Sequence, residues 1–515
     1  MEEAFDIDTF HNQLTKAQLM ATNGSRNLQK SHGCLLRKHA ARGLAILLIC
    51  LPSAANATSA PFGFFLSRHT LIETPQTDQN EKPIKADEPT TERKEESDRE
   101  SQLRNERTVL YNLDGSVASE FAGIFFEITP DGQRVITYSV SASQWYLYTL
   151  DGTEHAALKG HFQGFTPDQQ SIITYSQGKS YLYNLDGVEQ ATFAGTIQWG
   201  TVDGDYLIAV SDDRPGFLLY SAEGSLQATF EGFFRGFVPS EQKLVVTDND
   251  ESRLYNFDGS LDATFEGVFQ VFTPDSKGVV TVTYGLEQPA SRSLLYDLDG
   301  TLRATFKGEF STFSPDGTAL VTDSRESSQS WLYGLDDQQQ ATLKGDFIAF
   351  SRDGQSLFTY SNAGTHRYAL NGQQQGLFAG RLVGITSDAQ RLVLESPTQQ
   401  SWLYDIDGRQ LSTLEGMFVG FISDERRIIT LDMEIPGLNA SAEGFYRLYN
   451  LEGSLQSSFQ GQLLGLTATG NQGLVLYADD GKSHLYDSLD GTEQTAFEGR
   501  VLGLTIDEQG VFIGF

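Results

Sequence analysis

The chain is poor in the residues that most often carry covalent or metal chemistry. Of its 515 residues two are cysteine and eight are histidine. Both cysteines, Cys34 and Cys50, lie in the first 57 residues. The remainder can form no disulfide and offers no thiol nucleophile. Past residue 107 the only histidines are His155, His161, His366 and His484, and none has metal-ligand spacing. There is no Gly-x-Ser-x-Gly element and no phosphate-binding loop. Positive charge is also scarce, with 37 basic against 68 acidic residues and a net charge of −31. That balance argues against nucleic acid and against an anionic membrane surface as partners. Long apolar runs are missing too. The strongest, Leu44–Leu51, is far short of the roughly 20 residues that a spanning helix needs.

What is present begins with a targeting pattern. Arg37, Lys38 and Arg42 precede Leu44–Leu51, and small residues follow up to Ala55-Asn56-Ala57. Basic, apolar, then A-x-A is the order of a secretory signal. Residues 1–57 are therefore read as a cleaved signal peptide of an exported protein, periplasmic or extracellular, starting at Met1 or Met20. The alternative is a membrane anchor formed by residues 43–66. Removing 1–57 takes away 6 basic and 4 acidic residues and leaves a net charge of −33. Residues 58–107, rich in Glu, Asp, Lys, Arg, Thr and Pro, are expected to form a disordered charged linker.

From residue 108 the chain repeats. The anchor is Leu-Tyr-x-Leu-Asp-Gly, with tyrosines at Tyr111, Tyr148, Tyr183, Tyr220, Tyr255, Tyr296, Tyr333, Tyr368, Tyr404, Tyr449 and Tyr486. The spacing is 35 to 45 residues, most often 37. A period of this size marks a solenoid, a propeller or an array. Each repeat reads as four short strands. The Tyr strand ends in an Asp-Gly hairpin turn. A strand with one polar face follows, as in Leu261, Ala263 and Phe265 against Asp262, Thr264 and Glu266. After a Gly comes an apolar strand such as Phe269–Phe272, a Thr-Pro-Asp turn, and a strand apolar on both faces, as at Val135-Ile136-Thr137-Tyr138. Four antiparallel strands per repeat predict an all-β fold, a propeller of eleven blades over residues 108–515. An N-terminal pair of strands completes the blade begun by the C-terminal pair.

Leu295-Tyr296-Asp297-Leu298-Asp299-Gly300, Ala304-Thr305-Phe306-Lys307-Gly308 and Phe313-Ser314-Pro315-Asp316-Gly317 resemble a degenerate WD repeat. Tyr stands where that family has Trp, and Gly-His survives only at Gly160-His161. The resemblance implies a β-propeller and a protein-binding role, without the family's hydrogen-bonded tetrad in most blades. Eleven blades fit one ring, or two rings of five and six divided at the insertion 285–293 into 108–284 and 293–515. Inner-strand glycines such as Gly384, Gly420 and Gly503 suggest a crowded axis and hence small rings.

Functionally the pattern points to a non-enzymatic scaffold that binds a protein or an extended ligand, with no cofactor or metal. The alternatives are a hydrolase or lyase with its site in the propeller funnel, or an acidic cation-binding surface protein. Carboxylates recur in the turns after the Tyr strand (Asp258, Asp299) and in the Thr-Pro-Asp turns (Asp275, Asp316), but none has the ligand count of a calcium loop. They read as turn formers. Ionisable residues on inner strands are few: Glu127, Arg235, Glu309, Asp346, Arg381 and Arg500, with no matched positions in adjacent blades expected. The longest insertion, 432–447, carries Met433, Ile435, Leu438, Phe445 and Tyr446, a candidate partner-binding loop.

Overall fold

The computed structural model describes residues 107–514, apart from 212–214, 239–240, 285–290, 325–326, 337, 397, 399, 423–424, 433–443, 467–472, 479, 488–490 and 506–509. The proposed signal peptide and nearly all of the charged linker lie outside the described residues. Within them there are 43 strands. The first full blade shows the pattern: strand a is Ile124–Ile128, b is Arg134–Ser139, c is Gln144–Thr149 and d is Glu154–Leu158. They are hydrogen-bonded in the order a-b-c-d, all antiparallel. Eight further sheets have four strands, and one has seven. The seven-stranded sheet is two blades. Its strand Leu455–Leu466 is strand d of blade 9 in its first half and strand a of blade 10 in its second.

The ring closes through its ends. Arg107–Asn112, a c strand, pairs with Gly510–Gly514, a b strand, so blade 11 takes a and b from the C-terminus and c and d from the N-terminus. The buried apolar residues form eleven clusters, and each spans one interface between neighbouring blades. Leu110, Phe121 and Phe512 of blade 11 pack with Val135 and Tyr148 of blade 1, which completes the circle. A sheet buried between two neighbours needs apolar residues on both faces, which is why strand b is apolar throughout.

The division into two rings does not form. The strands on either side of 285–290, Gly278–Thr283 and Arg292–Asp297, are paired over their whole length within one blade. The small-ring reading of the glycines is corrected with it. A Cβ on Gly384 would sit 2.7 Å from the Phe418 ring, and one on Gly503 would sit 2.9 Å from the Phe125 ring. These two glycines make room for an aromatic ring of the next blade, whereas a Cβ on Gly420 would meet nothing within 4 Å, so a crowded axis is not what the three share.

The predicted faces of strand d also need one correction. Ala263 and Phe265 are buried as expected, but Leu261 is 55% exposed. The c–d ladder skips a residue beside every repeat Tyr, here between Leu254↔Ala263 and Tyr255↔Leu261. The bulge breaks the period-2 alternation at that point. Val117, Leu226, Leu302 and Leu455 are exposed at the equivalent position.

Two kinds of hydroxyl bond recur between neighbouring blades. In blade 7, the backbone N–H of Lys344 from blade 6 donates to the Tyr368 hydroxyl at 3.1 Å. The Thr359 hydroxyl donates to the carbonyl of the same lysine. Tyr183 with Lys159 and Tyr449 with Glu415 repeat the first contact at 3.1 Å. A second bridge uses the residue three before the Tyr. Ser252 donates to the Gly267 carbonyl at 2.8 Å and accepts the N–H of Phe269, the next inner strand, at 2.9 Å. Thr108, Ser180, Ser293, Ser330, Thr365, Ser401 and Ser483 make the same bond to a glycine carbonyl. The spacing Ser/Thr-x-x-Tyr was visible in the sequence, but its partners are backbone groups that only folding brings near.

Candidate binding surfaces

Strands a and c run towards one rim of the ring and b and d run back. The a–b and c–d turns therefore share a turn face, and the b–c and d–a connections share the opposite loop face. The two faces use their polar groups differently.

On the turn face the recurrent carboxylates are engaged by their own turns. In the a–b turns Thr129, Thr273, Ser314, Ser351 and Thr386 donate their hydroxyls at 2.6 Å to Asp131, Asp275, Asp316, Asp353 and Asp388. The same Asp oxygens accept a backbone N–H two residues on, as Thr318 gives to Asp316 at 3.1 Å. In the c–d turns Asp258 accepts both the N–H and the hydroxyl of Ser260, at 2.9 and 2.6 Å. Hydroxyl bonds hold the Asp275, Asp316, Asp353 and Asp388 carboxyls below the usual carboxylate value. Bonds from Ser260 do the same for Asp258. Each of these carboxylates thus serves as a turn cap; Asp186 instead pairs with Arg134 of the preceding blade, and the Asp407 and Glu452 turns are capped by Asp405 and Asn450. Among the described residues no group of three or more His, Cys, Asp or Glu is placed to hold a metal. Asp424, Asp490 and Asp507 lie outside the described residues.

The repeat tyrosines are framework. Tyr148, Tyr183, Tyr220, Tyr296, Tyr333, Tyr368, Tyr404 and Tyr449 are buried, while Tyr111, Tyr255 and Tyr486 are half-buried. Trp145 and Trp331 are also buried, Trp331 beneath the Lys307 ammonium at 4.6 Å. His366 is buried with its Nε2 2.9 Å from the Ser361 hydroxyl, and burial lowers its pKa.

The loop face carries both long b–c connections. Of the candidate partner-binding residues, Met433, Ile435 and Leu438 lie outside the described residues. Phe445 is 38% exposed at the start of strand c. Tyr446 is not a surface residue. It is only 9% exposed, packs in the blade 9 core, and its hydroxyl accepts the Leu463 N–H at 3.4 Å. It stands three residues before Tyr449, where eight blades place Ser or Thr and two others place the buried Trp145 and Phe217, so the repeat framework claims it. Sequence reasoning missed two other exposed aromatics here. Phe233 is 64% exposed at the first position of the blade 4 inner strand, and Tyr284 is 41% exposed just after strand b of blade 5.

The inner strands correct a further expectation. Glu309, Asp346 and Arg381 are each the first paired residue of the inner strands of blades 6, 7 and 8. They form a matched charged row along the inner rim of the loop face, and Arg500 holds the same register in blade 11. Ser291 donates to Glu309 at 2.8 Å and Ser328 to Asp346 at 3.3 Å. The equivalence was hidden because the repeat was aligned on its tyrosines, whereas the inner strand is registered by the Gly that precedes it.

These features define a closed, eleven-bladed β-propeller built from WD-like repeats. No protein-family profile matches the chain, and no curated protein matches it in sequence. Among solved structures it is similar to a eukaryotic initiation factor, with 11% identity over 69% of this chain and 96% of that one, at a TM-score of 0.41. It is also similar to the C-terminal WD40 domain of Sif2 (16% identity, 53% and 90%, TM-score 0.30). BamB from Moraxella catarrhalis is a third such structure (12% identity, 55% and 89%, TM-score 0.29). The blade count and closure rest on the chain's own strand pairing.

Proposed function

We propose that the protein is an exported, non-enzymatic scaffold whose loop face binds another protein or an extended ligand. The observation that carries this reading is the placement of exposed aromatics. Phe233, Tyr284 and Phe445 are the only exposed aromatic side chains among the described residues, and all three are on the loop face. Aromatic anchors are enriched where proteins bind one another. The turn face, by contrast, spends its repeated carboxylates on its own turns. Export rests on the signal-like order of residues 1–57, so the mature chain from its native host should begin at Thr58. N-terminal sequencing that finds Met1 or Met20 on the abundant form overturns that part.

The scaffold reading is tested by affinity capture from the native exported fraction, with wild-type and Phe233→Ser/Phe445→Ser proteins compared. A partner retained equally by both proteins counts against it. A companion variant removes residues 436–443. The cut must stop there, because Gly444 already pairs with Gly461 in the blade. One observation favours a second, enzymatic reading, a funnel hydrolase or lyase: two carboxylates, Glu309 and Asp346, stand in matched register on adjacent blades. Turnover of sugar or lactone substrates that is abolished by Glu309→Gln would establish it.

A further inference from the structure

Every inner strand contains one residue that its ladder skips, such as Arg235 between Phe234↔Val246 and Gly236↔Val245. Strand a has no partner on its inner edge, and the skipped side chains turn toward the next blade: Phe126, Ile348, Val383, Val419 and Leu464 each pack in the cluster shared with it. They are not uniform. Blades 2 to 6 place Gln163, Gln198, Arg235, Gln270 and Ser311 there, an unbroken polar arc. The other six blades place apolar residues, from Ile348 in blade 7 round to Phe126 in blade 1. The repeat does not require this arc, since either residue type fits the bulge.

Arg235 is the exception within it. It is half-buried, and its Nε is buried with no hydrogen-bond partner. Among the described residues no carboxylate pairs with it, although the chain has 68 acidic residues. Burial pulls its pKa down, and the only group acting against that is Tyr284, at the loop-face end of blade 5. A half-buried guanidinium without a counter-charge is unfavourable, and proteins normally pair such groups. On the flanking blades Gln198 makes no hydrogen bond among the described residues, while Gln270 donates to its own strand at Val268, 3.1 Å away.

We propose that Arg235 anchors an anion-binding site at the inner edge of the ring, where blade 4 meets blade 5, that takes a carboxylate or phosphate group of a ligand arriving from the loop face. The planar guanidinium fork matches either oxyanion with two parallel hydrogen bonds. The unpartnered Nε–H is what such a group would satisfy. The net charge of −31 repels anions at long range, so selection here is local. The inference does not depend on the scaffold reading, since a scaffold, an enzyme or a transport protein could each use it.

The test titrates inorganic phosphate and succinate separately into the full chain, with sodium chloride at matched ionic strength as control, and reads the melting temperature and an isothermal titration. Wild type is expected to melt higher than the chloride control with at least one anion and to bind it at one site per chain. Phosphate alone would identify a phosphoryl ligand, succinate alone a carboxylate ligand, and both the shared oxyanion chemistry. Arg235→Gln and Arg235→Met, the latter keeping the apolar stem, are expected to lose at least tenfold in affinity. Without anions, Arg235→Met should melt no lower than wild type. No rise with either anion, or an equal rise in both variants, overturns the site. So does a lower melt of Arg235→Met without anions, because the guanidinium would then be holding the ring together.

Discussion

The turn face and the loop face are made by the same repeat, yet they leave different chemistry free. On the turn face Thr273 and Asp275, or Ser260 and Asp258, satisfy each other within a few residues. Little remains for a ligand, and the pattern is nearly the same from blade to blade. On the loop face and at the inner edge the groups differ between blades. Phe233, the Glu309–Asp346–Arg381 row and the unpaired Arg235 each occur once in the ring. In a repeat fold, what recurs is therefore usually framework, and what departs from the recurrence is where binding is found.

The largest effect is expected where both faces depend on one clamp. Tyr368→Ala removes a buried ring between blades and should cost about 3–5 kcal/mol in chemical denaturation. Tyr368→Phe deletes only the hydroxyl but strands the Lys344 N–H, and should cost about 1–3 kcal/mol. Equal and small losses would show that the tyrosine clamp is not what joins the blades. A loss of similar size is expected on the turn face alone. The buried Thr273 hydroxyl donates to Asp275 and accepts the Gly278 N–H at 2.9 Å, so Thr273→Val should also cost about 1–3 kcal/mol.

Acid should act on the turn face before the loop face. The turn carboxylates titrate below their ordinary value in the folded ring. Their contribution is thus present above the unfolded value of about 4 and is lost as the pH falls through the lower folded values. Melting temperature should be flat above about pH 5 and drop steeply below pH 4, with a smaller drop from the Asp275 turn in Thr273→Val. A profile unchanged down to pH 3 would mean that the turn bonds carry no net stability.

Smaller effects separate the faces further. Phe233→Ser on the loop face should change stability by no more than about 0.5 kcal/mol, because the ring is already exposed. A larger loss would place it in the framework and weaken the contrast. The smallest response expected is to calcium. Turn aspartates committed to capping should give no rise in melting temperature beyond a sodium control of equal ionic strength. A shift of several degrees would show that the turn face binds cations after all.

Much of the framework was legible in the chain. The Tyr spacing and the Asp-Gly turns indicated eleven four-stranded units. Strands b and d were recognisable because one is apolar on both faces and the other on one. These signals are local: a turn needs its Gly at positive φ, as Gly300 at +87° shows, and a strand's period reports its own burial. The exposed Leu261 was not legible, because a bulge opposite Tyr255 is set by a neighbouring strand. Tyr446 read as a loop residue because its insertion hides the three-residue offset from Tyr449. The number of blades and the sites for the closing strands were settled by sequence. That all eleven blades enter one ring was decided by tertiary structure, since only the pairing of Thr108 with Gly514 and eleven continuous interfaces distinguish it from two smaller rings. The matched row of Glu309, Asp346 and Arg381, and the unpaired state of Arg235, were decided there too. Charge pairing and register are relations between residues far apart in the chain, and no local pattern records them.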